Sequence, residues 1–194
     1  MGDTKELDYI VRKFRIKPTD KQEPFLLPDF MREDLAKLFA ELGYRVGAEI
    51  GVNKGAYSAV ICRCNAQLKR LYCIDHWHHA DRHLDAQQAL AQYPCTLIKD
   101  SSIAAAAKTV NRSLDFVYID ANHRYPAISA DIPAWVLKVR KGGIVAGHDY
   151  KEVPGKPFKV PTAVNEYVRA HRIKPWFVLG QNGGSWPSWF WVNQ

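Results

Sequence analysis

Residues 46–60 read VGAEIGVNKGAYSAV: a short apolar run, a turn that contains Gly51 and Gly55, and the start of an amphipathic stretch. This order predicts a strand over Val46–Ile50 and a helix from about Gly55 to Asn65. Glycines in such a turn allow a ligand to approach the backbone closely. The turn is neither a G-x-G-x-x-G fingerprint nor a P-loop, because its glycines are four residues apart and no G-K-[ST] follows. A dinucleotide or a nucleoside triphosphate is therefore disfavoured as the ligand.

The same alternation of apolar runs and amphipathic stretches continues along the chain. It predicts strands over Leu71–Ile74, Thr96–Ile98, Phe116–Ile119 and Gly143–Gly147, with helices over about Asp81–Gln92, Ile103–Val110 and Pro126–Val139. Continuous apolar strands that alternate with helices are typical of a parallel sheet covered on both faces. The sequence therefore predicts the doubly wound, Rossmann-like α/β class.

The two ends of the chain depart from this rhythm. Residues 1–28 are polar and punctuated by prolines, so they predict an N-terminal lead-in with at most one short helix, around Leu7–Phe14, before a single domain over residues 29–194. A helix near Thr162–His171 is followed by strands around Trp176–Leu179 and Trp186–Val192, joined by a glycine-rich turn at residues 180–185. These two strands predict an antiparallel hairpin at a sheet edge.

Composition and charge exclude several classes of protein. The 194 residues are 47% hydrophobic and 24% charged, which is typical of a globular chain and excludes a disordered or collagen-like one. No apolar run approaches the ~20 residues that span a bilayer, so we expect a cytoplasmic protein without a membrane partner. The four cysteines form no C-x-x-C pair and are expected to be reduced. The net charge of +7 favours an anionic partner, but no nucleic-acid-binding motif accompanies it, and nucleic acid is disfavoured.

Polar residues follow the end of each predicted strand. In open α/β sheets, ligands bind outside the carboxyl ends of the strands, so these residues predict the site. Asp75 is placed to accept hydrogen bonds from both hydroxyls of a ribose. Asp100 and Ser101 are placed either to contact an adenine edge or to cap the following helix, and both roles stay open. The remaining groups are Glu49–Gly55, His76 and Trp77, Asp120–His123, and His148–Tyr150.

Four segments together resemble a known family. They are Glu49-x-Gly51-x-x-x-Gly55-x-x-Ser58, Leu71–Asp75, Leu114–Tyr125 with its D-x-x-H-x-Y pattern, and Gly142–Tyr150 with its G-G-x-x-x-x-H-D-Y pattern. Over roughly residues 43–150 the chain resembles class I S-adenosylmethionine-dependent methyltransferases, in particular the small O-methyltransferases that include catechol and macrolide-sugar enzymes. The resemblance implies a seven-stranded, mostly parallel sheet whose last strand is antiparallel.

The resemblance also implies a binding site for S-adenosylmethionine. Glu49, Gly51, Asn53, Gly55 and Ser58 would surround its methionine and ribose portions, and Asp75 would bind the ribose. His76 and Trp77 would lie beside the adenine, Asp100 and Ser101 would meet its edge, and Asp120 would border the cofactor. A sulfonium cation without phosphates suits acids and an aromatic wall better than a phosphate cradle.

In metal-dependent members, the matching positions hold a divalent ion such as Mg²⁺ or Mn²⁺. These positions are Asp120, His148 and Asp149, and the ion would act as a Lewis acid on a substrate hydroxyl. An imidazole at His148 departs from the oxygen-only pattern, so His148 is either a ligand for a softer ion or an acid–base group. His123 matches a position that carries a basic side chain in catechol-type enzymes, and it can accept a hydroxyl proton near neutral pH.

The favoured function is therefore O-methylation of a small molecule, a sugar or a phenolic compound, with Asp120 and His123 as catalytic residues. One alternative is a nucleic-acid methyltransferase, although the chain lacks the N/D-P-P-Y/F tetrapeptide of amino-methylating enzymes. The other is a non-catalytic module that binds the adenosyl cofactor. The proline-rich loop Lys151–Pro161 is either a lid over the acceptor or a surface excursion. Exposed tryptophans near the C-terminus would indicate a homodimer interface or a substrate platform.

Overall fold

The computed structural model describes residues 4–17, 22–152, 154–155, 157–180, 182 and 186–194. Its helices are α1 (Lys5–Lys13), α2 (Arg32–Glu41), α3 (Ala56–Cys64), α4 (Ala80–Leu90), α5 (Ser102–Lys108), α6 (Tyr125–Val136) and α7 (Val160–Ala170). Its strands are β1 (Phe25–Leu27), β2 (Val46–Ile50), β3 (Arg70–Asp75), β4 (Cys95–Lys99), β5 (Leu114–Ile119), β6 (Val139–Gly147), β7 (Trp176–Leu179) and β8 (Ser188–Val192). Most of the predicted glycine-rich turn at 180–185 lies outside the described residues.

The strands form one sheet in the order β1-β7-β8-β6-β5-β2-β3-β4. Every pairing is parallel except those that β8 makes with β6 and β7, which are antiparallel. The predicted α/β class and the antiparallel last strand are confirmed. The hairpin of β7 and β8 is also present, but it does not lie at the edge, because β8 pairs with β6 and β7 pairs with β1.

The described sheet has eight strands, one more than the seven predicted, and the additional strand is β1. It belongs to the segment interpreted as a lead-in, and it pairs in parallel with β7 through Phe25–Phe177 and Leu27–Leu179. The segment between Pro24 and Pro28 has only three residues, which is too few to show the alternation of a strand. Prolines are tolerated at the ends of an edge strand because they are not needed as donors in its ladder. The sequence signal for β1 was therefore absent.

The core lies on both faces of the sheet. Along β5, Phe116 and Tyr118 pack in one hydrophobic cluster, and Val117 and Ile119 pack in another. Successive side chains of a strand point to opposite faces, so the two clusters lie on opposite sides. Buried residues of α1 to α4 complete the first cluster and those of α5 to α7 complete the second. This is the two-sided helical cover that the sequence predicted.

Three other expectations concern the cysteines, membrane-spanning helices and the C-terminal tryptophans. Cys62, Cys64, Cys73 and Cys95 are free thiols, as predicted. None of the described helices is long and apolar enough to cross a bilayer. Trp176, Trp189 and Trp191 are buried, so they do not form the exposed aromatic surface considered above.

Candidate functional site

A cavity of about 950 Å³ opens at the carboxyl ends of the central strands. Eight of the predicted site residues border it: Gly51, Asn53, Asp75, His76, Asp100, Ser101, Asp120 and His123. They come from the ends of β2, β3, β4 and β5, which are consecutive neighbours in the sheet order β5-β2-β3-β4. Parallel pairing brings together residues that lie far apart in the sequence.

The other predicted site residues are not among those that border the cavity. Glu49 and Ser58 are buried beneath it, where the Ser58 hydroxyl donates a hydrogen bond to the Glu49 carboxyl. Gly55 begins α3 with a left-handed backbone and faces Leu90 of α4. Trp77 is 2% exposed, and its indole Nε1 donates to the carbonyl of Asn53 at 2.7 Å. These residues pack beneath the loops that border the cavity and do not face the cavity themselves.

Asp75 joins the loops that follow β2 and β3. Its two carboxylate oxygens accept hydrogen bonds from the amides of Asn53 and Trp77, each at 2.8 Å. A carboxylate oxygen has further acceptor capacity after one such bond. Asp75 can therefore hold both loops and still accept from a hydroxyl in the cavity.

Ser101 performs the capping role that the sequence left open, and Asp100 supports the same turn. The Ser101 hydroxyl accepts from the amide of Ala104 at 3.1 Å, as an N-cap does. One Asp100 oxygen accepts from the amide of Ser101, and the other pairs with Lys108, both at 2.7 Å. Both residues border the cavity, but their side-chain oxygens already have protein partners.

Four ionisable side chains form a cluster beyond β5 and β6. Asp120 follows β5, His148 and Asp149 follow β6, and the parallel register pairs Ile119 with Gly147, so the two strand ends are adjacent. His123 Nε2 lies 2.7 Å from Asp149 Oδ2 and 3.4 Å from Asp120 Oδ1. His148 Nδ1 lies 2.7 Å from Asp149 Oδ1 and 3.9 Å from Asp120 Oδ2. We call these residues the Asp–His cluster.

The charges within the cluster stabilise one another. Hydrogen bonds with Asp120 and Asp149 raise the pKa of His123 to about 9. Burial tends to raise the pKa of Asp149, but its hydrogen bonds with His123 and His148 outweigh this effect and lower it well below its ordinary value. The side chains of His123 and Asp149 are only 26% and 13% exposed, so water screens these interactions incompletely.

A possible ligand set for a cation overlaps this cluster. Among the described residues, Asp120, His123 and Asp149 each offer one ligand atom, and these atoms lie within 4.8 Å of one another. The predicted set was Asp120, His148 and Asp149, so the grouping found here contains His123 in place of His148. His123 joins it because the turn after β5 brings its imidazole back over Asp120.

Sequence reasoning did not identify the residues on the outer side of the cavity. Phe158 and Pro157 border it, and the Phe158 ring lies 5.3 Å from the imidazole of His123 and 5.8 Å from the ring of Trp186. The amide of Lys159 donates to the carbonyl of His123 at 2.9 Å. The proline-rich loop was the only signal for this wall, and the described part of that loop lies beside the Asp–His cluster.

Glu49 gives the site a pH-dependent stability. Burial raises its pKa to about 8, although the hydrogen bond from Ser58 opposes the shift. The folded pKa thus lies above that of the unfolded chain, so this group makes folding less favourable as the pH rises from about 4.5 to about 8. Relative to Glu49→Gln, we expect the free energy of unfolding to fall across this range, by at most about 1.4 kcal/mol per pH unit.

Urea denaturation of both proteins at pH 5, 6, 7 and 8 measures this difference. Glu33→Gln, on the exposed surface of α2, controls for the loss of a carboxyl group. If the unfolding free energies of the unchanged protein and Glu49→Gln run parallel from pH 5 to pH 8, the carboxyl of Glu49 does not titrate in this way.

Comparisons with known proteins agree with this architecture. A family model described as "Methyltransferase domain" matches residues 48–150, which contain the glycine turn and the Asp–His cluster. No curated protein matches the chain.

Among solved structures, the O-methyltransferase TomG from Streptomyces achromogenes is 16% identical, with 99% of this chain and 91% of that chain covered and a TM-score of 0.63. An O-methyltransferase from Bacillus cereus is 13% identical over 99% and 92% of the two chains, with a TM-score of 0.63. An rRNA methylase from Streptococcus thermophilus is 16% identical over 86% and 96%, also with a TM-score of 0.63.

At 13–16% identity, the structural matches show only that the fold is shared. The family model establishes more, because it spans more than half of the chain and includes the strand ends that border the cavity. The resemblance found in the sequence is confirmed at this level, and the chain belongs to the methyltransferase domain family.

Proposed function

We propose that this protein transfers the methyl group of S-adenosylmethionine to a hydroxyl group of a small molecule. The observation that carries the proposal is that one cavity is bordered both by Asp75, whose carboxylate retains acceptor capacity, and by Asp120 and His123 of the Asp–His cluster. The O-methyltransferases from Streptomyces achromogenes and Bacillus cereus, which share the fold, are described as complexes with SAM and SAH, respectively.

The cavity suits the cofactor chemically. S-adenosylmethionine is a sulfonium cation that carries no phosphate, and the loop between β2 and α3 is not a phosphate-binding motif. Asp75 presents carboxylate oxygens that retain acceptor capacity for ribose hydroxyls. When bound, the cofactor supplies an electrophilic methyl group, and the protein supplies position and proton transfer.

His123 is proposed to accept the proton of the acceptor hydroxyl at Nδ1, while Nε2–H donates to the carboxylates. Because those carboxylates raise the pKa of His123 to about 9, the rate of transfer should rise with pH up to about 9 as the imidazole becomes neutral. Asp149 and Asp120 hold its Nε2 from two sides, which fixes the orientation of the ring. His148 in turn holds Asp149. Methyl transfer to oxygen is a single in-line displacement, so most of the rate enhancement is expected from orientation and from deprotonation of the oxygen.

The donor atoms of the cluster also fit a divalent cation. Two carboxylates and one imidazole favour Mn²⁺, Fe²⁺ or Zn²⁺ over Mg²⁺, which prefers oxygen ligands alone. Asp120, His123 and Asp149 would hold such an ion, and its chemistry would be that of a Lewis acid that lowers the pKa of the acceptor hydroxyl.

Binding and turnover together test the proposal. We expect calorimetry to show S-adenosylhomocysteine binding with a dissociation constant in the micromolar range, and methyl-labelled S-adenosylmethionine to label a member of a panel of phenols and sugars. An absence of binding at millimolar ligand would contradict the proposal. Binding without transfer to any acceptor would instead favour a non-catalytic module.

RNA is a second candidate acceptor. It is favoured by the net charge of +7, and one protein that shares the fold is described as an rRNA methylase. Salt dependence separates the two acceptors, since affinity for RNA falls steeply as salt rises and affinity for a neutral small molecule does not.

A further inference from the structure

Asp131 is a nearly buried acid that borders the cavity without having been assigned to the site. It lies in α6 and is 4% exposed. Its Oδ1 accepts a hydrogen bond from the Ser102 hydroxyl at 2.5 Å, and the Trp135 indole donates to the same hydroxyl at 2.9 Å. No described residue donates a hydrogen bond to its Oδ2. This oxygen is also not one of the fully buried atoms that lack a partner, so it is not completely enclosed by protein. This oxygen is therefore available to a ligand in the cavity.

The surroundings of Asp131 differ from those of the Asp–His cluster. Ser102 begins α5, which follows β4, whereas the cluster follows β5 and β6. Ile103, Ala127 and Ala130 border the cavity as small or apolar side chains, and His76 borders it as a polar one that interacts electrostatically with Asp131. A flat heterocycle that carries an N–H donor could pack on these side chains and give Asp131 Oδ2 a hydrogen-bond partner.

Asp100, the acid that the resemblance assigns to the adenine edge, differs from Asp131 in its partners. Its carboxylate accepts from the Ser101 amide and pairs with Lys108. Each oxygen retains acceptor capacity, as in Asp75, but the negative charge is already paired with the Lys108 ammonium. Asp131 has only one partner, and that partner is oriented by Trp135.

We propose that Asp131 accepts a hydrogen bond from the exocyclic amino group of adenine and thereby selects an adenine nucleoside as the methyl donor. This inference rests on the proposed binding of S-adenosylmethionine. Ser102 and Trp135 fix one oxygen of the carboxylate, so the orientation of the other is set before a ligand binds.

The test compares two ligands that differ only in this amino group. They are S-adenosylhomocysteine and its 6-deamino analogue, in which purine replaces adenine. By calorimetry we expect the unchanged protein to bind S-adenosylhomocysteine at least about tenfold more tightly, since a hydrogen bond to a charged group is involved. The ratio should fall to about one in Asp131→Ala and to an intermediate value in Asp131→Asn, whose neutral amide oxygen is a weaker acceptor.

Two further variants provide comparison. Asp85→Ala removes an exposed acid that pairs with Lys54, and it should keep the ratio of the unchanged protein. Asp100→Ala tests the competing assignment, and it should also keep that ratio. Thermal unfolding of each variant confirms that it is folded, and Asp131→Asn keeps the shape of the side chain if the alanine variant fails to fold.

The outcomes separate this inference from the function on which it rests. The role of Asp131 is overturned if the preference for S-adenosylhomocysteine over its 6-deamino analogue survives in both Asp131 variants, or if it disappears in Asp100→Ala. Cofactor binding itself is unaffected by either result. Equal binding of the two ligands by the unchanged protein overturns the role of Asp131 as well. Failure of the unchanged protein to bind S-adenosylhomocysteine contradicts the proposed function itself.

Discussion

His123→Ala should lower the rate of methyl transfer by at least about 100-fold, which is the typical contribution of a positioned general base. Affinity for S-adenosylhomocysteine should stay within about threefold, because the ring of His123 interacts with Asp120, Asp149 and Phe158 rather than with the Asp75 loops that are proposed to hold the ribose. Single-turnover kinetics and calorimetry measure the two quantities. Asp120→Ala should show the same pattern, since Asp120 is one of the two carboxylates that orient the imidazole.

His171→Ala is the matched control, because His171 is an exposed histidine that contacts Tyr167 at the end of α7. It should retain full activity. A His123→Ala protein that keeps its activity, or that loses it together with cofactor binding and thermal stability, would show that His123 has no catalytic role.

The same variants separate a proton-accepting role from a metal-binding role. We expect Mn²⁺ to bind the unchanged protein, and Asp149→Asn to weaken that binding by at least about tenfold, since it removes a charged ligand. If excess Mn²⁺ restores the activity of His123→Ala, then His123 acts as a ligand and not as the proton acceptor. If activity stays low at saturating Mn²⁺, the base role is supported.

Gly51→Ala should destabilise the protein by about 3–5 kcal/mol, with a fall in Tm of roughly 10 °C. Gly51 has a φ of +91°, which side chains rarely adopt, and a Cβ atom there would lie 2.1 Å from the carbonyl oxygen of Asp120. The backbone of Asp120 has little freedom to move away, because its amide donates to the carbonyl of Ile50 at 2.7 Å. Thermal unfolding measures the change, and activity should fall as well because Asp120 is displaced.

Gly43→Ala separates the two causes of this effect. Gly43 also has a positive φ, of +70°, but a Cβ atom there would meet nothing within 4 Å. It should therefore lose only about 1 kcal/mol from backbone strain. Equal losses in the two variants would mean that the close approach to Asp120 is unimportant.

From the sequence alone, the glycine turn is a place where a ligand can approach the backbone closely. The structure assigns Gly51 a different requirement, since the neighbouring strand end at Asp120 passes directly over it. Gly55 likewise packs against Leu90 of α4. Both residues are needed for contacts between elements that are remote in sequence, and no local pattern could distinguish this need from ligand approach.

The alternation of apolar and amphipathic segments was sufficient to predict the sheet class, the helices on both faces and the antiparallel end of the sheet. These features follow from local periodicity and from the fact that parallel strands need helical crossovers. The same alternation predicted which residues follow each strand, and three of them, Asp75, Asp120 and His123, border one cavity. A local pattern determines where a strand ends, and parallel pairing then brings the ends together.

Tertiary structure alone decided which of those side chains face the cavity and which support it from behind. Glu49 and Ser58 are turned into the core, β1 finds its partner β7 about 150 residues away, and Asp131 reaches the cavity from within a helix. The direction of a side chain depends on packing between distant elements and on single backbone angles, such as the φ of +57° at Asp149. Hydrophobic periodicity depends on neighbouring residues in the chain and does not report contacts between distant elements, so the sequence alone could not predict them.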